Sequence, residues 1–86
     1  MPVICRFFGI VIRMHFDDHQ PPHFHALYAG GEVVIEISPA RVLAGSIHPR
    51  AIGLVMEWTE LHRDELLDDW ALAKDLQPLV PIEPLG

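Results

Sequence analysis

The chain has one cysteine, Cys5, in 86 residues. No internal disulfide can form, so the fold has to stand on its core alone, which fits a reducing cytoplasm as the expected location. Cations are scarce as well: six Lys and Arg against twelve Asp and Glu give a formal net charge of −6 with histidine neutral. Binding by general neutralisation of nucleic-acid phosphates is therefore disfavoured, because that attraction grows with the number of cations presented. No apolar run approaches the ~18–20 residues of a membrane span, so no membrane partner is expected. The opening residues lack the charged, then apolar, then small pattern of an export leader. His-Glu-x-x-His, Cys-x-x-Cys, Gly-x-Ser-x-Gly and a glycine-rich phosphate loop are all missing, which removes the best-marked metal, nucleophile and nucleotide chemistries.

What is present is a globular composition, 50% hydrophobic and 21% charged. The length suits one domain over residues 1–86. Arg6 to Phe16 is apolar and β-rich around Gly9. In its second part Ile10, Ile12, Met14 and Phe16 share one face while Val11, Arg13 and His15 share the other, the period of a strand with one buried side. Pro21 and Pro22 then force a loop, since neither can donate a ladder hydrogen bond. Gly30-Gly31 lies between two alternating runs and predicts a tight hairpin.

With those glycines as the loop, Tyr28 faces Val33, His25 faces Glu36 and Phe24 faces Ile37. One side of the hairpin then carries Phe24, Ala26, Tyr28, Val33, Ile35 and Ile37, and the other His23, His25, Leu27, Val34 and Glu36. Arg41 to Leu43 is a candidate fourth strand. Pro49 suits the first turn of a helix beginning at 46–50, with His48 at its start. Ala51, Ile52, Val55, Trp58 and His62 form its apolar stripe, and His62 is expected as a core histidine. A second helix can begin at Asp64, with Leu66, Leu67, Trp70 and Ala73 inward; the pattern alone leaves one bent helix and two helices both open. Asp68 and Asp69 are expected in solvent. Residues 77–86 form an extended proline-rich tail, whose apolar residues from Leu79 to Leu85 lean toward a partner or a second copy of the chain. The expected architecture is α+β: a small antiparallel β-meander of three to four strands, packed on one face by one or two C-terminal helices.

Four of the six histidines fall between His15 and His25. His23 and His25 are two apart on a strand and so share a face. Pairing Phe16 with Phe24 sets His15 against His25 and Asp17 against His23, with Glu36 flanking His25. His15, His23, His25, Asp17 and Glu36 then gather on the face away from the helices, with Arg13 at its edge. Histidines near neutrality can exchange protons as base and acid, each aligned by a carboxylate. Here His25 is one such group and His23 its partner, His19 stands nearby, and Glu36 and Asp17 orient them. Arg13 suits a phosphate, and His15 borders the substrate. This set fits cofactor-free cleavage of RNA through its 2′-hydroxyl. Two alternatives remain: a protein-binding module, and a zinc-binding domain using His19, His23 and His25 with Asp17 or Asp18. Histidines beside paired prolines also serve simply to end strands and bond loop carbonyls.

Four stretches together resemble a known family: Met1-Pro2-Val3-Ile4, Arg6 to Met14, Asp18-His19-Gln20-Pro21-Pro22-His23-Phe24-His25-Ala26, and Glu57-Trp58-Thr59-Glu60-Leu61-His62. They are similar to the small bacterial domain-of-unknown-function family 4160, and His-x-Pro-Pro-His-x-His is the most specific part. The resemblance implies the toxin role in a two-gene type II toxin–antitoxin module, with a small cognate antitoxin, often of domain-of-unknown-function family 2442, as partner. It hands over no assigned catalytic residues.

Overall fold

A computed structural model describes residues 2–86, so of the stretches quoted above only Met1 lies outside it. Five strands pair in chain order as an antiparallel meander: β1 (Val3–Phe7), β2 (Ile10–Arg13), β3 (His23–Tyr28), β4 (Gly31–Glu36) and β5 (Arg41–Ser46). Helices α1 (Pro49–Leu61) and α2 (Arg63–Lys74) follow. The α+β class is as expected, but the sheet has five strands rather than three or four. The added strand comes from the amino-terminal run. Phe8 and Gly9 both take positive φ, 49° and 79°, so the chain reverses within two residues and β1 returns along β2. Only Gly9 signals that turn in the sequence, because bulky residues seldom adopt positive φ. At its other end β2 stops at Arg13, short of the expected Phe16. The Asp17 N–H is taken by the Ala73 carbonyl at the end of α2 (3.0 Å), and Phe16 is exposed.

The second hairpin is offset from the expected register by two residues. Its turn is Ala29-Gly30, with φ of 48° and 82°, and the pairs are Tyr28 with Gly31, Leu27 with Glu32, His25 with Val34 and His23 with Glu36. Gly31 sits inside β4, where a Cβ would lie 3.2 Å from the Ser46 carbonyl oxygen and 3.3 Å from Ile47 Cγ2, so a larger residue would require those neighbours to shift slightly. An even offset leaves the faces unchanged, because side chains alternate with period two. Phe24, Ala26, Val33, Ile35 and Ile37 are accordingly all inaccessible to solvent. β5 is longer than the expected 41–43 and is exposed along all six residues.

Helix α1 covers the apolar face of the sheet. Trp58 lies 5.4 Å from Phe7 and 5.7 Å from Phe24, centroid to centroid, and Ala51, Val55 and Thr59 are buried beside it. The His48 side chain caps the helix, its Nδ1 accepting from the Arg50 N–H at 3.1 Å. The chain leaves helical geometry at His62 (φ −120°), so the segment is two helices rather than one. His62 is half-buried against Trp58 and bonded to Glu65 Oε1 at 2.6 Å, not enclosed in the core as expected. Leu66, Trp70 and Ala73 of α2 face inward, as their spacing predicts.

Residues 77–86 adopt neither helix nor strand and pack on their own fold, where partner contact was expected. Trp58 Nε1 donates to the Glu83 carbonyl (2.8 Å) and the Ile82 N–H to the Ile4 carbonyl (2.9 Å), with the Ile82 side chain buried. The Val80 N–H donates to Asp69 Oδ1 at 2.9 Å. Asp69 is therefore 1% exposed rather than solvated: the proline-interrupted tail needs an acceptor, and this carboxylate supplies it.

Burial pushes the Asp69 carboxyl above the usual carboxylate range; the Val80 N–H bond works against this, and Asp68 and Glu65 add to it. The native state thus holds this proton more tightly than the unfolded chain. The group's contribution to stability is complete below about pH 4 and is lost as pH rises through the raised folded value. Asp69→Asn keeps an acceptor for Val80 and cannot ionise. Urea midpoints taken from about pH 4 to about pH 8 should move in the variant's favour as pH rises, by on the order of 1 kcal/mol. Parallel pH profiles for the two proteins would contradict this account.

Candidate functional site

The alternation that buries Phe24 and Ala26 turns His23 and His25 to the opposite face. Pairing between β2 and β3 sets Ile12 against Ala26 and Arg13 against His25. The expected pairing of Asp17 with His23 and His15 with His25 is again offset by two residues. His15, past the end of β2, still reaches the cluster: its ring stacks on His25 with centroids 4.0 Å apart and planes within 20°. The His23 ring is 5.5 Å from His25. His19 lies 5.8 Å from His23, with its side chain 90% exposed.

Each ring is held differently. His25 Nδ1 donates to Glu32 Oε2 at 2.6 Å, while its Nε2 is buried without a hydrogen-bond partner among the described residues. His23 Nδ1 bonds the Pro21 carbonyl at 2.7 Å and its Nε2 bonds Asp18 Oδ2 at 2.9 Å. Both oxygens are acceptors, so the full set of bonds forms with both nitrogens protonated. His23 is also buried, 5.2 Å from Trp70 of α2. The expectation that the rings lie on uncovered surface therefore holds for half-buried His15 and His25 and fails for His23, which α2 covers. The Arg13 guanidinium, on the same face, has its Nε buried and without a partner among the described residues.

The orienting carboxylates are not the expected ones. Glu36 stands across from His23, but its carboxylate turns to Arg41 Nε at 2.6 Å. Asp17 takes positive φ and faces solvent, 3.4 Å from Lys74 Nζ. Glu32 and Asp18 stand in their places. The two-residue offset of the hairpin brings Glu32 across from Leu27, diagonal to His25 and within reach of it. Parity placed Glu32 on the histidine face, and choosing Ala29-Gly30 as the turn would have brought it to His25. Partial burial opposes ionisation of Asp18, yet its bond from the His19 N–H and the adjacent His23 and His19 rings outweigh that and hold its carboxyl below the usual range. Burial, then the His25 ring, pulls His15 below the ordinary histidine range, against the opposing pull of Asp18 and Glu32.

The loop carrying His15, Asp18 and His19 is tied to the end of α2. The Lys74 Nζ donates to the Asp18 carbonyl at 2.9 Å, beside the bond from Asp17 to Ala73. A family model described as "Domain of unknown function (DUF4160)" matches residues 9–71. The chain belongs to that family. In this DUF4160 protein the matched span takes in β2 to β5, α1 and most of α2, and with them every residue of the histidine cluster. Comparison with curated proteins and with solved structures gave no match. No helix among the described residues is long and apolar enough to cross a membrane.

In this DUF4160 protein the Glu32 bond selects the His25 tautomer with the proton on Nδ1. Two-bond proton–nitrogen NMR correlations of the neutral ring should show Nδ1–H, and Glu32→Ala should abolish that preference. An Nε2–H ring in the unsubstituted protein would contradict the assignment.

Proposed function

We propose that this DUF4160 protein is the toxin of a bacterial two-gene type II toxin–antitoxin module, and that it cleaves RNA without a cofactor at the His15–His25 face. The toxin role and the small cognate antitoxin are what the family resemblance implies, and the single cysteine supports a cytoplasmic setting. One observation carries the chemistry: His25 has Nδ1 fixed by a carboxylate and Nε2 buried yet unpartnered. A ring in that state is prepared to accept a proton. Its cross-strand neighbour Arg13 has, among the described residues, no partner for its guanidinium Nε–H, a donor suited to a phosphate oxygen.

In this reading His25 Nε2 takes the proton of the RNA 2′-hydroxyl, and the 2′-oxygen bonds to phosphorus. The bond from phosphorus to the 5′-oxygen breaks, and His15 in its protonated form gives that oxygen a proton. The products are a 2′,3′-cyclic phosphate and a 5′-hydroxyl. His15 takes the partner role first expected of His23, because both His23 nitrogens are occupied. His23 instead holds Asp18, and Glu32 replaces Glu36 and Asp17 as the orienting carboxylate. A non-enzymatic binding module is the second reading. It is favoured by β5, an edge strand exposed along its length with apolar Val42 and Leu43 outward, since such an edge can accept an added strand.

Induced expression should slow growth, and the purified protein should cut RNA in the presence of a chelator. His25→Ala and Arg13→Ala should each lower cleavage by about 100-fold or more while circular dichroism and melting stay close to the parent. Undiminished cleavage or toxicity from a folded His25→Ala protein would overturn the catalytic reading. Normal growth on expression of the unsubstituted chain would overturn the toxin role.

A further inference from the structure

We infer that the same face carries a divalent transition-metal site, best suited to zinc, made by His25 Nε2, a ring nitrogen of His15 and the Asp18 carboxylate, and that occupancy silences the histidine chemistry. The silencing rests on the reading above, whereas the site itself does not.

One ligand atom from each of the three residues lies within 4.8 Å of the other two, and His25 Nε2 is 4.0 Å from Asp18 Oδ2. Zinc holds such atoms at ~2.0–2.2 Å, which puts tetrahedral ligands roughly 3.4 Å apart. Closing the set therefore asks for side-chain movements of about 1 Å, together with a tilt of the His15 ring out of its stack on His25 so that both lone pairs converge. His15 and Asp18 lie outside the strands, and both are only partly buried, so the movement disturbs no ladder.

The state of each ligand suits a cation. With its proton on Nδ1 and donated to Glu32, His25 presents the Nε2 lone pair inward, the carboxylate–histidine–metal arrangement that fixes a ligating ring. That buried nitrogen has no protein partner, and an ion would give it one. Asp18 is oriented by His23 Nε2 at 2.9 Å. Two imidazoles and one carboxylate favour zinc over magnesium or calcium, which prefer all-oxygen sets.

The site differs from the zinc reading of the sequence. His23 has no free nitrogen, and exposed His19 turns its Nδ1 to Asp18 Oδ1 at 3.0 Å, so His15 replaces both. Three protein ligands leave the fourth position for water or an anion. Coordination engages the Nε2 electron pair that would otherwise take the 2′-hydroxyl proton, so the same ion that fills the site inhibits cleavage.

The test is calorimetric titration of tag-free, chelator-treated protein with Zn²⁺ alone, together with the visible spectrum of the Co²⁺ form. One ion per chain and tetrahedral Co²⁺ bands are expected. His15→Gln and Asp18→Asn should each weaken binding by about 10-fold or more, and Glu32→Gln by about 10-fold. Absence of binding, or unchanged binding in folded His15→Gln and Asp18→Asn proteins, would overturn the site. Saturating Zn²⁺ should abolish RNA cleavage seen with chelator, and cleavage that persists would overturn the inhibition alone. Titration reads the site whether or not RNA is cut, so a protein that binds Zn²⁺ yet never cleaves RNA would sustain the site while refuting the RNA reading.

Discussion

Phe24 meets Trp58 edge to face at 5.7 Å, and that contact sets the roll of β3. A strand offers alternate residues to opposite sides, so once Phe24 and Ala26 are locked against α1, His23 and His25 have only the other side to occupy. A large aromatic pair in a close-packed core does not rotate to accommodate a different face. The imidazole cluster is thus a consequence of how the core packs, and the hydrogen bonds of His25 refine a position already imposed.

The second support of the cluster comes from the far end of the chain. The loop after β2 holds His15, Asp18 and His19, and it is anchored through backbone and side-chain bonds to Ala73 and Lys74 at the close of α2. Trp70 of the same helix covers His23. In turn α2 is fastened to the proline-rich tail by Asp69 and Val80. Elements remote in sequence therefore fix the distance between His15 on the loop and His25 on the strand. Loosening the tail would reach that geometry through α2, without any contact between tail and histidines.

Electrostatically the face is unusual for a chain of net charge −6. The His23 and His25 rings are paired with carboxylates, and beside them Arg13 Nε has no partner among the described residues. With so few cations, the chain gains little from non-specific phosphate attraction. Recognition of an anionic substrate would depend on Arg13 and local shape, and the same carboxylates that orient the rings also make the face receptive to a metal ion. The two chemistries compete for one lone pair.

The sequence by itself determined the class of fold, the two-sided character of β3 and β4, the inward stripes of α1 and α2, and the side on which His23 and His25 emerge. These follow from period and polarity, which are local and survive any even change of register. Tertiary structure alone decided which carboxylate meets which ring. Choosing Ala29-Gly30 over Gly30-Gly31 moves every cross-strand partner by two positions at no cost in burial, so hydrophobic pattern cannot distinguish the registers. It also decided that β1 is a separate strand, that His62 breaks the helical segment, that α2 closes over His23, and that Asp69 is buried beneath the tail. Each of these depends on a positive φ, a helix end or a long-range hydrogen bond supplied by residues far away in the chain.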